Sequence, residues 1–382
     1  MRQDALNLKL AWMAAAVLLC GAAFAWADPV SGHCLHAASL ALGATWLIHA
    51  VLTGAGATHR LMAALLLAAM WGAVQMAAGA TVSQFATANA VTAWLARAAL
   101  FQLAYSNLGN REMRDRVLSM LLYGGFSLAV LAILQWFTGG GQVFWLIPTQ
   151  YTDQIMGTFL NRDHYAVFVE LLLPIALIRA LTGSGPRLLP MSIAATLYAS
   201  VIACGARAGT VVVTLETAII CVVALRRSAA GYKLVLTLAA FMAISLGVAG
   251  WEFLWLRLAD PHPFAIRREM LIATMAMIRT HPLTGFGLGS WPAVYPRFAV
   301  FDPPGIFMNH AHNDWAEWIA DGGILFGSLS LWAAAEACRF VTRNWWALGI
   351  PGVLLHSLVD FPMQKPALAG LLFFLLGAAA AT

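Results

Sequence analysis

The chain has 382 residues, 61% of them hydrophobic and only 10% charged, with a formal net charge of +5. A soluble protein of this size carries roughly a quarter charged residues, so a water-soluble globular fold is excluded. Apolar stretches of about twenty residues, each long enough to cross a bilayer, recur along the whole length, where a membrane β-barrel would show short alternating segments instead.

The expected fold is therefore an all-α polytopic membrane protein, a single transmembrane domain of residues 1–382. About twelve spans are predicted, near 9–27, 35–54, 61–80, 89–107, 116–137, 163–181, 187–204, 208–225, 233–250, 314–341, 345–360 and 366–382. The first, "AWMAAAVLLCGAAFAWA", ends in an A-W-A that a signal peptidase would accept, but many spans follow and it reads as a retained helix. Two connections are long, at about 138–162 and about 251–313. Most of Cys20, Cys34, Cys204, Cys221 and Cys338 fall inside apolar runs, where cysteine acts as a small hydrophobe. Neither a disulfide framework nor a cysteine metal site is expected.

Lysine and arginine placement orients the chain. With both termini in the cytoplasm, most cations of the short connections fall on the cytoplasmic side. Arg162, Arg207 and Lys365 fall on the other, and Arg97 lies within a span. The loop 251–313 breaks the pattern, carrying Arg257, Arg267, Arg268, Arg279 and Arg297 on the external side. Such a loop is either a solvated or headgroup-bound segment or an outward-facing anion site. Within it, "IRREMLIATMAMIRTHP" spaces Met270, Leu271, Thr274, Met277 and Ile278 as an amphipathic helix, ended by Pro282. "LTGFGLGSWP" then supplies turn residues, followed by Trp291, Tyr295, Phe298 and Phe301. These elements predict a compact external cap, residues 251–313, over the membrane domain; the resemblance given below makes that side the periplasm.

"NHAHNDWAEWIADGG", residues 309–323, opens span ten. Asp314 with Glu317 reads as an aspartate version of a capping box. Residues 314, 317 and 321 share one helical face, an acidic stripe about two turns long. Ionisable groups at such depth cost roughly 2.5–3.5 kcal/mol each at mid-membrane and usually face a wet cavity or a partner charge. Asp321, the deepest, is expected to meet a cavity or an arginine. His312, just before the helix, can take and release a proton near neutral pH. Its neighbours also spell H-x-H-x-D (His310, His312, Asp314), a conceivable zinc set, and Ser290 with His312 is a conceivable nucleophile and base. Arg207 and Arg267, from separate elements, are candidates to clamp a diphosphate through directed guanidinium hydrogen bonds, with Arg268 as a further donor.

Together these residues resemble the O-antigen ligase and polysaccharide polymerase superfamily of bacterial inner-membrane proteins. "GTFLNRDHYAVFVELLLP" (157–174) resembles its G-T-F-x-N-x-N-H stretch, with Asp163 in place of asparagine. "ARAGTVVV" resembles its S-R-G-G-like turn, with Ala206 for the usual serine. Arg267 to Leu271 fits its R-x3-L motif, and "HPLTGFGLG" its H-P-L-x-G-x-G segment. His312 to Gly323 fits the ligase-type H-x10-G spacing, Asp321 standing where glutamate is usual. The resemblance covers about residues 155–380 and leaves the first four or five spans without a motif.

The resemblance implies a GT-C-type glycosyltransferase, inverting and without metal or other cofactor. The donor would be a glycan on undecaprenyl diphosphate at the periplasmic leaflet of the inner membrane. The acceptor would be a sugar hydroxyl, on lipid A-core for a ligase or on a second lipid-linked glycan for a polymerase of O-antigen or exopolysaccharide. Membrane lipids are expected neighbours, and no nucleic acid is an expected partner. His312 would be general base, Arg207 and Arg267 the anion clamp. Asn161, His164 and Asn313 would line the pocket, and Asp314 or Glu317 would orient His312. A transporter or flippase of an anionic lipid-linked substrate is the rival from another class, since outward arginines and buried acids would suit it too.

Overall fold

A computed structural model describes residues 2–54, 56–148, 156–183, 185–227, 231–261, 265–299 and 307–382, the side chains of residues 2–5 and 7 excepted. Among them the chain is almost wholly helical. In order come α1 (Arg2–Ala23), α2 (Val30–Thr53), α3 (Arg60–Ala77), α4 (Gln84–Asn107), α5 (Arg111–Thr138), α6 (Arg162–Thr182), α7 (Leu188–Ala203) and α8 (Arg207–Arg227). Then follow α9 (Gly231–Ala249), α10 (Glu252–Leu258), α11 (Ala265–Thr280), α12 (Trp291–Val294), α13 (Asp314–Val341), α14 (Gly349–His356) and α15 (Pro366–Ala380).

A helix lies over each segment expected to span. By length and composition seven qualify as crossings: α2, α3, α5, α6, α8, α9 and α13. The apolar stretches of α1, α7, α14 and α15 are shorter, and α4, though 24 residues long, is less apolar and buries Arg97, Gln102 and Asn107. The protein is thus an all-α polytopic membrane protein. Part of the connection 138–162 folds as a two-stranded antiparallel hairpin, β1 (Gln142–Val143) with β2 (Ile147–Pro148). All five cysteines are free thiols.

One helix is central. In α6, 83% of the most apolar window is buried, against 39% or less in the other six crossings. Its run "YAVFVELLLPIALI" is apolar on every face except at Glu170, which pairs with His356, as suits a helix enclosed by others. It packs against α7, α8, α14 and α5, while α4 gathers α2, α3 and α15. Side-chain caps fix where several helices begin: Ser83, Asn110, Asn161 and Asn313 each accept a backbone N–H of the first turn.

The loop helices build a core of their own. Met270, Ala273 and Met277 of α11 meet Phe286, Trp291, Val294, Tyr295 and Ala320, and Trp291 donates its indole N–H to Thr274 at 2.9 Å. The amphipathic reading of α11 thus describes its buried face, except that Leu271 is exposed. Phe301 lies outside the described residues.

Span ten departs from a single continuous helix. Gly323 (φ 72°) breaks α13 nine residues in. A break leaves carbonyls without intrahelical partners, and here each of those before it finds a donor. Phe286 N–H donates to Ala320 O, Gly287 N–H to Asp321 O, and Trp71 Nε1–H to Gly322 O. The turn 283–289 therefore docks on the break, and only glycine fits it. A Cβ on Gly323 would lie 2.0 Å from Leu283 O, and one on Gly285 2.3 Å from the Asp321 carbonyl. The glycines of "LTGFGLG" and "ADGG" are two halves of one joint.

Candidate active site

The loop just after α14 is the anchor of the site. Its carbonyls are taken by groups from two other elements. Asp314 N–H donates to Ser357 O at 2.9 Å, Asn313 Nδ2 to Leu358 O at 2.8 Å, and Arg267 Nη1 to Val359 O at 2.8 Å. The start of α13, the start of α11 and the loop after α14 are thereby drawn to one point.

His312 stands there in a left-handed backbone conformation, φ 50°, which costs a non-glycine residue about 1 kcal/mol or more. Its Nδ1 lies 2.9 Å from Oδ1 of Asp360, a fully buried carboxylate. Burial pushes the Asp360 carboxyl upward, but the hydrogen bond with His312 and the fields of His164, His312 and Arg267 outweigh it. The group is held below the usual carboxylate range. An ionised carboxylate can only accept, so Nδ1 carries the proton and Nε2 is the basic nitrogen. His164, on the first turn of α6, places Nε2 3.9 Å from Oδ2 of Asp360, beyond hydrogen-bond range.

Three imidazoles pack around one ring. His312 and His164 meet Phe361 edge-on at 4.7 and 4.8 Å, and His310 stacks on it at 4.5 Å. Phe361 fixes their mutual spacing. His310, His312, His164 and Asn161 line one cavity of about 770 Å³, with Lys365 and Asp28 on its wall. Lys365 Nζ is 3.1 Å from Asp28 Oδ2.

The other candidates distribute as follows. Arg267 donates through Nη2 to Asp163 Oδ2 at 2.7 Å. With Val359 O, that uses two of the five N–H donors a guanidinium has. Arg207 contacts Arg257 O at 3.2 Å and lies 3.7 Å from Asp260 Oδ2. It is near enough for its charge to act on Arg267 and Asp163. Neither arginine is among the residues lining the 770 Å³ cavity. Arg268 is exposed beside Arg267 on α11.

Four expectations are corrected. The N-cap of α13 is Asn313, whose Oδ1 accepts Ala316 N–H at 2.9 Å, not Asp314. Asp314, wholly buried, accepts Met363 N–H at 2.9 Å. Neither it nor Glu317 orients His312: Glu317 holds His310 Nδ1 and Ala311 N–H at 2.9 and 2.8 Å, and Asp360 performs the role on His312. The side chains of His310, His312 and Asp314 thus turn to three separate partners instead of converging on one ion. Ser290 is buried at 3.3 Å from Thr81 Oγ1, so the nucleophile reading fails.

Residues 192–331 match the family model described as O-Antigen ligase. That match supports the resemblance to the O-antigen ligase and polysaccharide polymerase superfamily. Members of that family are glycosyltransferase-like ligases and polymerases. The O-antigen ligase match covers less than half of the chain; Arg207, Arg267 and His312 fall inside it, while Asn161, His164 and Asp360 fall outside. No curated protein matches the chain.

Asp360, Phe361 and Asp163 are site residues that sequence reasoning did not assign. The signal for Asp360 was present: an acid at the very end of span eleven, which the positive-inside reading puts on the same side as His312.

Proposed function

We propose that the protein moves a glycan from undecaprenyl diphosphate to an acceptor sugar hydroxyl at the periplasmic face of the bacterial inner membrane, as an inverting, metal-independent O-antigen ligase. The observation that carries this reading is His312, paired at 2.9 Å with the buried Asp360, on the wall of a cavity shared with His164 and Asn161. His312 Nε2 takes the proton of the acceptor hydroxyl. The oxygen attacks the anomeric carbon as the bond from that carbon to the diphosphate oxygen breaks. The electron pair leaves with the lipid diphosphate, and Asp360 balances the imidazolium. Such a leaving group needs charge stabilisation more than protonation, and Arg267 and Arg207 supply preorganised cations. The strained backbone at His312 is the kind of cost a functional residue carries.

A polymerase using a second lipid-linked glycan as acceptor would run the same chemistry. A carrier is a distinct alternative, favoured by one observation: Glu170 and His356 pair at 2.7 Å with both side chains fully buried, and Glu216 is buried beside them in α8. Intramembrane acids of this kind occur in proton relays. Purified protein in vesicles, given a labelled lipid-linked glycan and acceptor, decides. Transfer of label to the acceptor, retained in EDTA, supports the ligase; movement of label across the bilayer with no new bond overturns it.

A further inference from the structure

A second chamber, of about 320 Å³, lies beside the catalytic cavity, and Asp28, Pro29, Gly32 and Pro366 line both. Its other walls come from α2, α4 and the first half of α13, so the helices without a recognised motif build much of it. The volume is within the range of about 300–1,000 Å³ typical of small-molecule sites.

The chemistry of the walls is selective. Arg97 of α4 and Asp321 of α13 both line the chamber and are more than nine-tenths buried. Arg97 donates through Nη2 to Met363 O, but its Nε has no partner among the described residues. Asp321 accepts Gly289 N–H through Oδ2 at 2.8 Å, while Oδ1 has none. Both orphaned atoms are shielded, but they belong to residues of the chamber wall, so the wall holds polar side chains not fully committed to the protein. Asn89, half-exposed on α4, adds an amide that can donate and accept. Trp94 and Trp318 supply broad apolar faces on the same wall, 5.9 Å apart.

The wall carries groups of both signs, with Asp28, His33 and His36 beside Arg97 and Asp321, so it is matched to neither a lone anion nor a lone cation. A lipid tail would meet polar groups it cannot engage. A neutral polyol with an apolar ring face suits such a wall, each hydroxyl being both donor and acceptor. We propose that this chamber is the acceptor-sugar subsite, holding an uncharged sugar of the acceptor glycan between Arg97, Asp321 and Asn89 while the next hydroxyl reaches His312. The inference rests on the glycosyl-transfer reading for the identity of the sugar, and under it α2 and α4 select the acceptor.

The test uses the whole protein in nanodiscs and two phosphate-free probes. One is the glycan released by mild acid from the lipid-linked donor; the other is deacylated core oligosaccharide. Saturation-transfer NMR should detect binding of at least one to the wild type. Asn89→Trp, which fills the chamber, should weaken that binding at least tenfold and leave association of the lipid-linked donor unchanged. Asn89→Ala, which adds no bulk, should weaken it severalfold and keeps the test decisive if the larger side chain disturbs folding. In turnover the acceptor KM should rise and the donor KM hold. Binding of neither probe to the wild type, or equal binding in both variants, overturns the subsite. Failure of the transfer reading shows separately, as absence of turnover in the wild type with sugar binding intact.

Discussion

Two histidine–carboxylate pairs sit one helical turn apart along the end of α14, and they differ in access. His312 meets Asp360 at 2.9 Å with its ring 23% exposed to a cavity. His356, whose carbonyl accepts the N–H of Asp360, meets Glu170 at 2.7 Å with both side chains sealed. Each pair takes one ring nitrogen and leaves the other. In the outer pair that nitrogen belongs to a ring on the wall of a space large enough for substrate. In the inner pair Nε2 is buried without a partner among the described residues. Chemical identity does not separate a reactive imidazole from a structural one; the space around the second nitrogen does.

The largest expected effects split the two pairs by what they lose. His356→Ala strands the Glu170 carboxylate, and breaking a buried pair costs about 3–5 kcal/mol. That variant should unfold in milder denaturant or fail to accumulate. The double variant Glu170→Leu, His356→Leu should recover folding, since well-packed apolar replacements of buried pairs are often neutral. If the double variant folds well but transfers no glycan, the inner pair has a role beyond structure and the contrast collapses. His312→Ala should weight the two losses the other way: transfer falls by about 10²–10⁴-fold, the range for a lost general base, while thermal unfolding shifts less than in His356→Ala, because His164 and Arg267 still act on the Asp360 carboxylate. Radiolabel transfer and melting of the same preparations measure both.

Asp360→Asn probes the outer pair from its other side. The folded carboxyl lies below its ordinary range, so its stabilising effect is present above the unfolded value of about 3.9 and lost as pH falls through the folded one. The wild type should therefore lose melting temperature on acidification from about pH 5 towards pH 2 more steeply than Asp360→Asn, which has no proton to take up there. Transfer should also drop about tenfold or more, because an amide can settle the Nδ1 tautomer either way. Parallel acid curves for the two proteins would remove Asp360 as the anionic partner.

Much of this was legible in the sequence, for identifiable reasons. Long apolar runs announced the helices, because a bilayer demands about twenty such residues. His312, His164 and Asn161 were found by motif and do share a cavity. What stayed hidden required distance. Asp360 reaches His312 across 48 residues, and Arg267 reaches Asp163 across 104. The local pattern D-W-A-E suggested a cap, yet Asn313 took that place and freed Asp314 for Met363, because the loop after α14 competes for the same groups. The break at Gly323 was likewise invisible, since nothing in an apolar run marks where another segment will supply its missing hydrogen bonds.

The smallest expected effect tests whether access also sorts the arginines. Arg267 and Arg268 are neighbours on α11, but Arg267 is held by Asp163 of α6 and by the Val359 carbonyl in the loop after α14. Arg268 is exposed, and an exposed guanidinium interacts through water that screens it. Arg268→Ala should change transfer by no more than about threefold, comparable to the 0–1 kcal/mol typical of surface charges. Arg267→Ala should abolish it while the protein remains in the membrane. A collapse of donor KM in Arg268→Ala would mean that the diphosphate is gripped at the exposed edge of α11, and the clamp would then have to be redrawn with Arg268 in place of Arg207.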